Sequence, residues 1–219
     1  MLSNHPYRYI LVVVVALATG MTSCKKSSYL TDGGLANAKT SLTTYDYLKQ
    51  HPYHYFDTTI LIIDHFNLKD SVNNSKTFFA FTDYAVSTLM NTLGVTTLDE
   101  LYDSLSSKFV TQYLFGQTIT LDGANTAGTV YTNWAGASAA PCGVRKLAAS
   151  EAIYLTSSTL VENYFVLQYI KVNGVLDGSP GAPATDPTDV YLSCQTTGIE
   201  TSSGTTLHVL ANNATLQNL

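Results

Sequence analysis

The chain has 219 residues and a formal net charge of −5; 45% of its residues are hydrophobic and only 12% charged. That length suits one ordinary domain with attachments. Scarce charge alongside fifteen tyrosines argues against intrinsic disorder, which needs much charge and few aromatics, and the acidic balance argues against a nucleic-acid partner, which needs clustered Lys and Arg.

Arg8 precedes an apolar run from Ile10 to Ala18. At about 1.5 Å per residue this run is too short for a hydrocarbon core about 30 Å thick, and it reads as the middle of a secretory signal over residues 1–23. Met21-Thr22-Ser23-Cys24 resembles the lipobox of bacterial lipoproteins, with Met21 where Leu is usual. The resemblance implies cleavage before Cys24, lipidation of its thiol and a membrane partner reached through that anchor. Lys25 in place of Asp favours the outer membrane, with the body facing either the periplasm or the exterior. The alternative is an ordinary signal peptide followed by a chance cysteine. Residues 24–41 are polar, contain Gly33-Gly34 and read as a flexible tether. Residues 42–219 remain as the folded domain.

Leu42, Tyr45 and Leu48 predict a helix over 42–51, stopped by Pro52. Asp57 is expected to cap a second helix reaching about His65. Thr77 to Phe81 is β-branched and aromatic, a buried strand sending alternate residues into the core. Thr82 and Asp83 then suit a helix start; Val86, Leu89, Met90 and Leu93 form its apolar stripe, and Gly94 lies just past its end. Thr97 and Glu100 make a capping box for a third helix carrying Leu98, Leu101, Tyr102, Leu105 and Phe109 on one face. After Gly116 the pattern turns to strands, at 117–121, 129–134, 144–155, 164–173, 189–194 and 205–210, with turn signals at Asp122-Gly123 and Asn173-Gly174. Residues 177–188 form a Pro/Gly-rich loop. Helices first and sheet later predict an α+β fold in a single domain, not alternating βαβ units.

Thr77, Phe79, Ala80, Thr82, Asp83 and Ala85 match the first signature of fasciclin-like domains, roughly T-x-F-A-P-T-[DN]-x-A-F. Phe81 replaces its Pro and Val86 its Phe. Near the end of the chain Gly204, His208 and Val209 resemble the second signature, roughly N-G-x-[IV]-H-x-[IVL], with Ser203 for Asn and one extra residue. Thr120-Leu121-Asp122-Gly123 and Val172-Asn173-Gly174 are similar to two of the family's turns. The resemblance spans about residues 42–212 and implies the fasciclin wedge, helices packed on a sheet or sandwich, and a role in adhesion. Tyr113-Leu114 stands where many animal members carry a Tyr-His pair associated with integrins, so integrin recognition does not carry over. Residues 133–165 exceed the spacing of a minimal member. By its own surroundings His208 reads as a buried, hydrogen-bonded imidazole tying two strands.

With Cys24 assigned to lipid, Cys142 and Cys194 are an even pair in an exported chain and a candidate disulfide; the alternative is two buried free thiols. None of the common nucleophile, phosphate-loop, dinucleotide or zinc-protease motifs occurs, so no catalytic residue, metal or cofactor is expected. His51, His54 and Asp57 cluster without a fixed ligand geometry and read as a surface loop. Asp177, Asp186 and Asp189 lack the calcium-loop order. The aromatic side chains offer flat faces with polar tips: Tyr45, Tyr47, Tyr53, Tyr55 and Trp134 are candidate ligand-surface groups, the alternative being packing within the fold. The expected function is that of a non-enzymatic envelope lipoprotein that mediates adhesion or binds a protein or polysaccharide at a surface. The alternative is an accessory glycan-binding lipoprotein of an outer-membrane uptake system, or, less favoured, an envelope hydrolase.

Overall fold

The computed structural model describes residues 38–136, 141–154 and 159–216. The expected signal peptide, Cys24 and the tether as far as residue 37 lie outside them. Ala38–Leu219 forms one compact unit. Residues 38–41, expected in the tether, already belong to it: Lys39 bridges Glu200 in parallel, and Thr40 N–H donates to the Glu200 carbonyl at 2.9 Å.

The helices are α1 (Thr44–Lys49), α2 (Asp57–His65), α3 (Lys69–Asn74), α4 (Asp83–Leu93), α5 (Leu98–Ser104) and α6 (Lys108–Thr111). The strands are β1 (Thr77–Ala80), β2 (Leu114–Phe115), β3 (Thr129–Tyr131), β4 (Cys142–Tyr154), β5 (Thr159–Lys171), β6 (Val190–Glu200) and β7 (Thr206–Leu210). All seven strands join one sheet in the order β2-β1-β7-β6-β5-β4-β3. Its pairs are antiparallel except β1 and β7, which run parallel. Phe115, from one end strand, bridges Asn133 just beyond the other, so the sheet nearly closes on itself. The fold is a single α+β domain, as the order of elements predicts.

Local signals fix several helix ends. Gly94 ends α4 in the left-handed region at φ 71°, where a Cβ would be strained. Thr97 and Glu100 form the expected capping box of α5. Phe109 does not continue α5 but sits on the separate short helix α6, and α3 carries no pattern that predicts it.

The core is aromatic. Phe79 on β1 packs against Tyr169 on β5 (5.5 Å between ring centroids), Phe115 on β2 and His208 on β7. Because β5 is not a neighbour of β1 in the sheet, the Phe79–Tyr169 contact crosses the interior. All four residues of β1 are buried, where alternation was expected: the strand is covered on both faces, so Phe78, Phe79 and Ala80 follow one another without a polar residue between them.

Residues 117–121 are not a strand. Side chains take the place of a ladder. Thr77 Oγ1 donates to the Gln117 carbonyl and accepts the Ile119 N–H, each at 2.8 Å, and His208 Nε2 donates to the Ile119 carbonyl at 2.9 Å. Gly198 N–H donates to His208 Nδ1 at 3.2 Å, so the imidazole is neutral and ties β7 to β6 and to this segment. Burial lowers its pKa to about 4.

The candidate disulfide does not form: Cys142 and Cys194 are both free and buried. They lie on β4 and β6 with β5 between. Two strand spacings, about 9.6 Å, exceed the ~7 Å between Cα atoms that a bridge tolerates. They are also offset along the strands, since Cys142 pairs with Lys171 while Ser193, just before Cys194, pairs with Gln168. Cys142 Sγ instead meets the Tyr169 hydroxyl at 2.7 Å and accepts from Asn133 Nδ2 at 2.9 Å. Burial pushes both thiols above their ordinary value, Cys194 most strongly.

Among the described residues no helix is long and apolar enough to cross a membrane.

Candidate functional site

The link between α1 and α2 builds the most exposed aromatic group described. Pro52 follows the end of α1, and the His54 N–H closes a tight turn on the His51 carbonyl at 3.0 Å. His54 takes a left-handed conformation at φ 53°, which an L side chain adopts at a cost of about 1–2 kcal/mol. The turn brings His51, Tyr53 and Tyr55 into one ring cluster. His51 stacks on Tyr55 (5.3 Å, 28°) and meets Phe56 edge-on (5.1 Å, 90°). Tyr53 stacks on Tyr55 (5.6 Å, 28°), and Tyr55 meets Tyr84 of α4 edge-on at 6.3 Å. The cluster rests on the core through Phe56, yet Tyr53 is 70% exposed and Tyr84 57%.

Tyr53 and Tyr55 form a ridge between two clefts. The first, about 390 Å³, has Tyr47, His51, Tyr53 and Tyr55 on one wall and Gln195, Thr196, Ile199, Val209 and Asn212, from β6, β7 and the turn after it, on the other. The second, about 370 Å³, is lined by Tyr53, His54, Tyr55, Asp83, Tyr84 and Ser87.

The first cleft is uncharged. Burial, with a smaller contribution from the charge of His54, holds the His51 imidazole below its usual pKa. Its Nδ1 is buried without a hydrogen-bond partner, an orphaned polar atom in the cleft wall. Gln195 Nε2 donates to Asn212 Oδ1 at 3.3 Å, and Thr82 Oγ1 donates to the same oxygen at 3.0 Å. One carboxylate, that of Asp83, lines the second cleft. Asp57 pairs with the exposed His54 at 3.3 Å, and Asp83 is committed to the N-terminus of α2, whose Asp57, Thr58 and Thr59 amides all donate to it. Burial raises the Asp83 carboxyl above its usual range, against the lowering effect of those donors.

Asp83 therefore caps α2 and not its own helix. Asp57 is the first helical residue of α2; the residue before it, Phe56, supplies no side-chain cap, and Thr82 supplies none to α4. The other motif residues are structural. Ala80, Ala85, Thr77 and Val209 are buried, and Gly204 turns the chain at φ 80°. Phe79 and His208, one from each motif, are register partners on adjacent strands, 4.9 Å apart.

Of the expected ligand-surface aromatics, Tyr53 and Tyr55 form the ridge and Tyr47, half-buried, lies beside it. Tyr45 does not belong there. It is 4% exposed, its hydroxyl donates to the Asp64 carboxylate at 2.8 and 3.0 Å, and burial first, then Asp64, drives its pKa up to about 12. Tyr45 falls on the apolar stripe of α1, so its helical phase turns it inward. Trp134 lies apart, where the sheet closes: its backbone N–H donates to the Thr111 and Leu114 carbonyls and its indole approaches Gly116. Sequence reasoning missed Tyr84, Gln195, Thr196 and Asn212. Tyr84 had a signal, being a large aromatic off the apolar stripe of α4; the other three had none, because only the tertiary fold brings them opposite residues 51–55.

Asp177, Asp186 and Asp189 accept backbone N–H groups of their own loop, among them Asn173 and Asp177 on Asp189 and Val175 on Asp186. Among the described residues no group of three or more His, Cys, Asp or Glu is placed to hold a metal ion. No protein-family model matches the chain, and no curated protein matches it in sequence.

Proposed function

We propose that this is a non-enzymatic lipoprotein of the bacterial cell envelope, anchored at Cys24, whose fasciclin-like domain adheres to a surface macromolecule through the Tyr53–Tyr55 ridge. The observation that carries the reading is the ridge itself: two stacked tyrosine rings that reach solvent between two clefts on a well-packed core. Exposed aromatic faces with polar tips are effective contact groups, since they offer large area with little side-chain entropy to lose. The side-by-side placement of the two motif segments, with Phe79 against His208, supports the fasciclin-like wedge. The exclusion of an enzyme rests on the sequence lacking a nucleophile or cofactor motif, and the anchor on the lipobox resemblance.

The test is retention of the full chain, in detergent, on isolated envelope material. Tyr53→Ala is expected to lower retention at least about tenfold, the effect of losing ~1.4 kcal/mol, with no change in melting temperature. Equal retention of both proteins removes the ridge from the mechanism. Cys24→Ala is expected to release the protein from membranes; unchanged membrane fractionation refutes the anchor.

The second reading, accessory glycan binding, is favoured by the first cleft. Its uncharged wall of Gln195, Thr196 and Asn212 faces aromatic rings, the pairing of hydrogen-bonding groups with stacking faces that suits a neutral sugar. Saturable binding of neutral oligosaccharides that falls in Gln195→Ala separates this reading from protein-directed adhesion.

A further inference from the structure

The second cleft, about 370 Å³, brings three tyrosine rings together with one carboxylate. Tyr53 and Tyr55 are inclined by only 28° with centroids 5.6 Å apart, while Tyr84 stands at 62° to Tyr55 at 6.3 Å. Rings from the α1–α2 link and from α4 thus meet at an angle, and a guest between them lies near more than one ring. The face of an aromatic ring is negative and attracts a cation held within about 6 Å of the centroid.

Elsewhere the chain covers such rings with its own cations. Lys49 and Lys69 lie over Tyr45 at 5.5 and 4.5 Å, Arg145 over Tyr191 at 4.1 Å and Lys146 over Phe165 at 5.2 Å. Among the described residues no Lys or Arg lies over Tyr53, Tyr55 or Tyr84, and none lines this cleft. The local charge is also negative. Helices α2 and α4 both start here, and each N-terminus carries about half a positive charge. Their first residues are Asp57 and Asp83, so with His54 neutral about one negative charge remains in excess.

We propose that this cleft binds a quaternary ammonium group of the kind choline carries. The rings and the Asp83 carboxylate favour a cation, and the state of that carboxylate selects a methylated one over a lysine ammonium. Asp83 Oδ1 accepts the Thr58 and Thr59 N–H groups and Oδ2 accepts that of Asp57. It supplies charge but little further hydrogen bonding. An ammonium with N–H donors loses water there without full replacement, whereas one bearing only methyl groups has no donor to satisfy. The inference rests on the adhesion reading, with which it shares Tyr53 and Tyr55, and names the chemical group that the partner presents.

The test is a nuclear magnetic resonance titration of the full chain in a maltoside detergent at about pH 8, where histidine is neutral. The probes are choline and its uncharged isostere, in which a tert-butyl group replaces the trimethylammonium. Choline is expected to bind at least about tenfold tighter than the isostere, and tetramethylammonium tighter than methylammonium. Tyr84→Ala, at an exposed helix position, is expected to weaken choline at least about fivefold while the melting transition persists. Asp83→Asn keeps an oxygen for the α2 amides and is expected to weaken choline but not the isostere. Glycerophosphocholine, titrated in parallel, tells a lipid-type headgroup from a free cation by which of the two binds tighter. Equal binding of choline and isostere, methylammonium binding as tightly as tetramethylammonium, or unchanged choline affinity in either variant overturns the proposal. Envelope retention that falls in Tyr53→Ala without any choline binding overturns this site alone and leaves the ridge as an adhesive surface.

Discussion

Asp83 Oδ1 lies 2.9 Å from the Thr58 amide nitrogen, so the first residue of α4 caps the N-terminus of α2. Four-residue β1 ends at Ala80, three positions earlier, which places this cap at the point where sheet, helix α4 and the aromatic turn meet.

Replacing Asp83 with Ala should destabilise the domain by about 1–2 kcal/mol, the usual cost of losing an N-cap acceptor. Asp83→Asn should cost less, because its amide oxygen still accepts and no charge is buried. The folded carboxyl titrates above its ordinary value. The proton-linked part of its contribution is therefore fully present below about pH 4 and is lost as pH rises through the raised value, while the hydrogen bonds that the carboxylate accepts persist. Denaturation of wild type and Asp83→Asn across the acid range checks both statements: the variant should lack this component.

His208 behaves in the opposite sense. Its pKa falls from 6.5 to about 4 on burial, so the neutral ring's contribution is intact above pH 6.5 and is lost as pH falls toward 4, by up to about 3 kcal/mol. His208→Phe removes that slope but leaves the Ile119 carbonyl and the Gly198 N–H without their partner, at about 1–3 kcal/mol each. Urea denaturation at pH 7 and pH 4.5 should show a less stable variant whose stability changes less between the two.

Tyr45 and Tyr53 should separate folding from binding. Tyr45→Phe deletes the hydroxyl that Asp64 accepts from and should cost about 1.5–3 kcal/mol, as for a bond to a charged group, with ligand retention unchanged. Tyr53→Ala should do the reverse. Melting temperatures and retention measured on both variants decide it.

Reduction should not change the stability of the domain. The two thiols are unbridged, so adding dithiothreitol should leave the melting temperature where it is, and both should react with a thiol reagent after unfolding but not before. Tyr169→Phe should cost about 1 kcal/mol or more, by removing the hydroxyl beside Cys142 in the buried cluster.

Much of the fold was legible because its signals are local. The stripe of α4, the Gly94 terminus, the Thr97–Glu100 capping box and the β-rich second half follow from spacing and turn chemistry, and they give an α+β class without reference to any partner segment. The strand expected at 117–121 failed because its alternation is real but its backbone is claimed by Thr77 and His208, residues 42 and 89 positions from Ile119. The α2 cap failed likewise: a carboxylate was foreseen at the right helix start, yet the one that serves comes from Asp83, distant in sequence.

What the amino-acid order settles alone is therefore whatever depends on neighbours within a turn or a strand: periodicity, chain reversal, charge balance and the density of tyrosines before α2. The tertiary structure decides which of those tyrosines meet solvent, that Cys142 and Cys194 stand on opposite sides of β5, and that Gln195 and Asn212 face residues 51–55. Those outcomes depend on distances through space between segments far apart along the chain, and such distances exist only once the sheet has curled nearly shut.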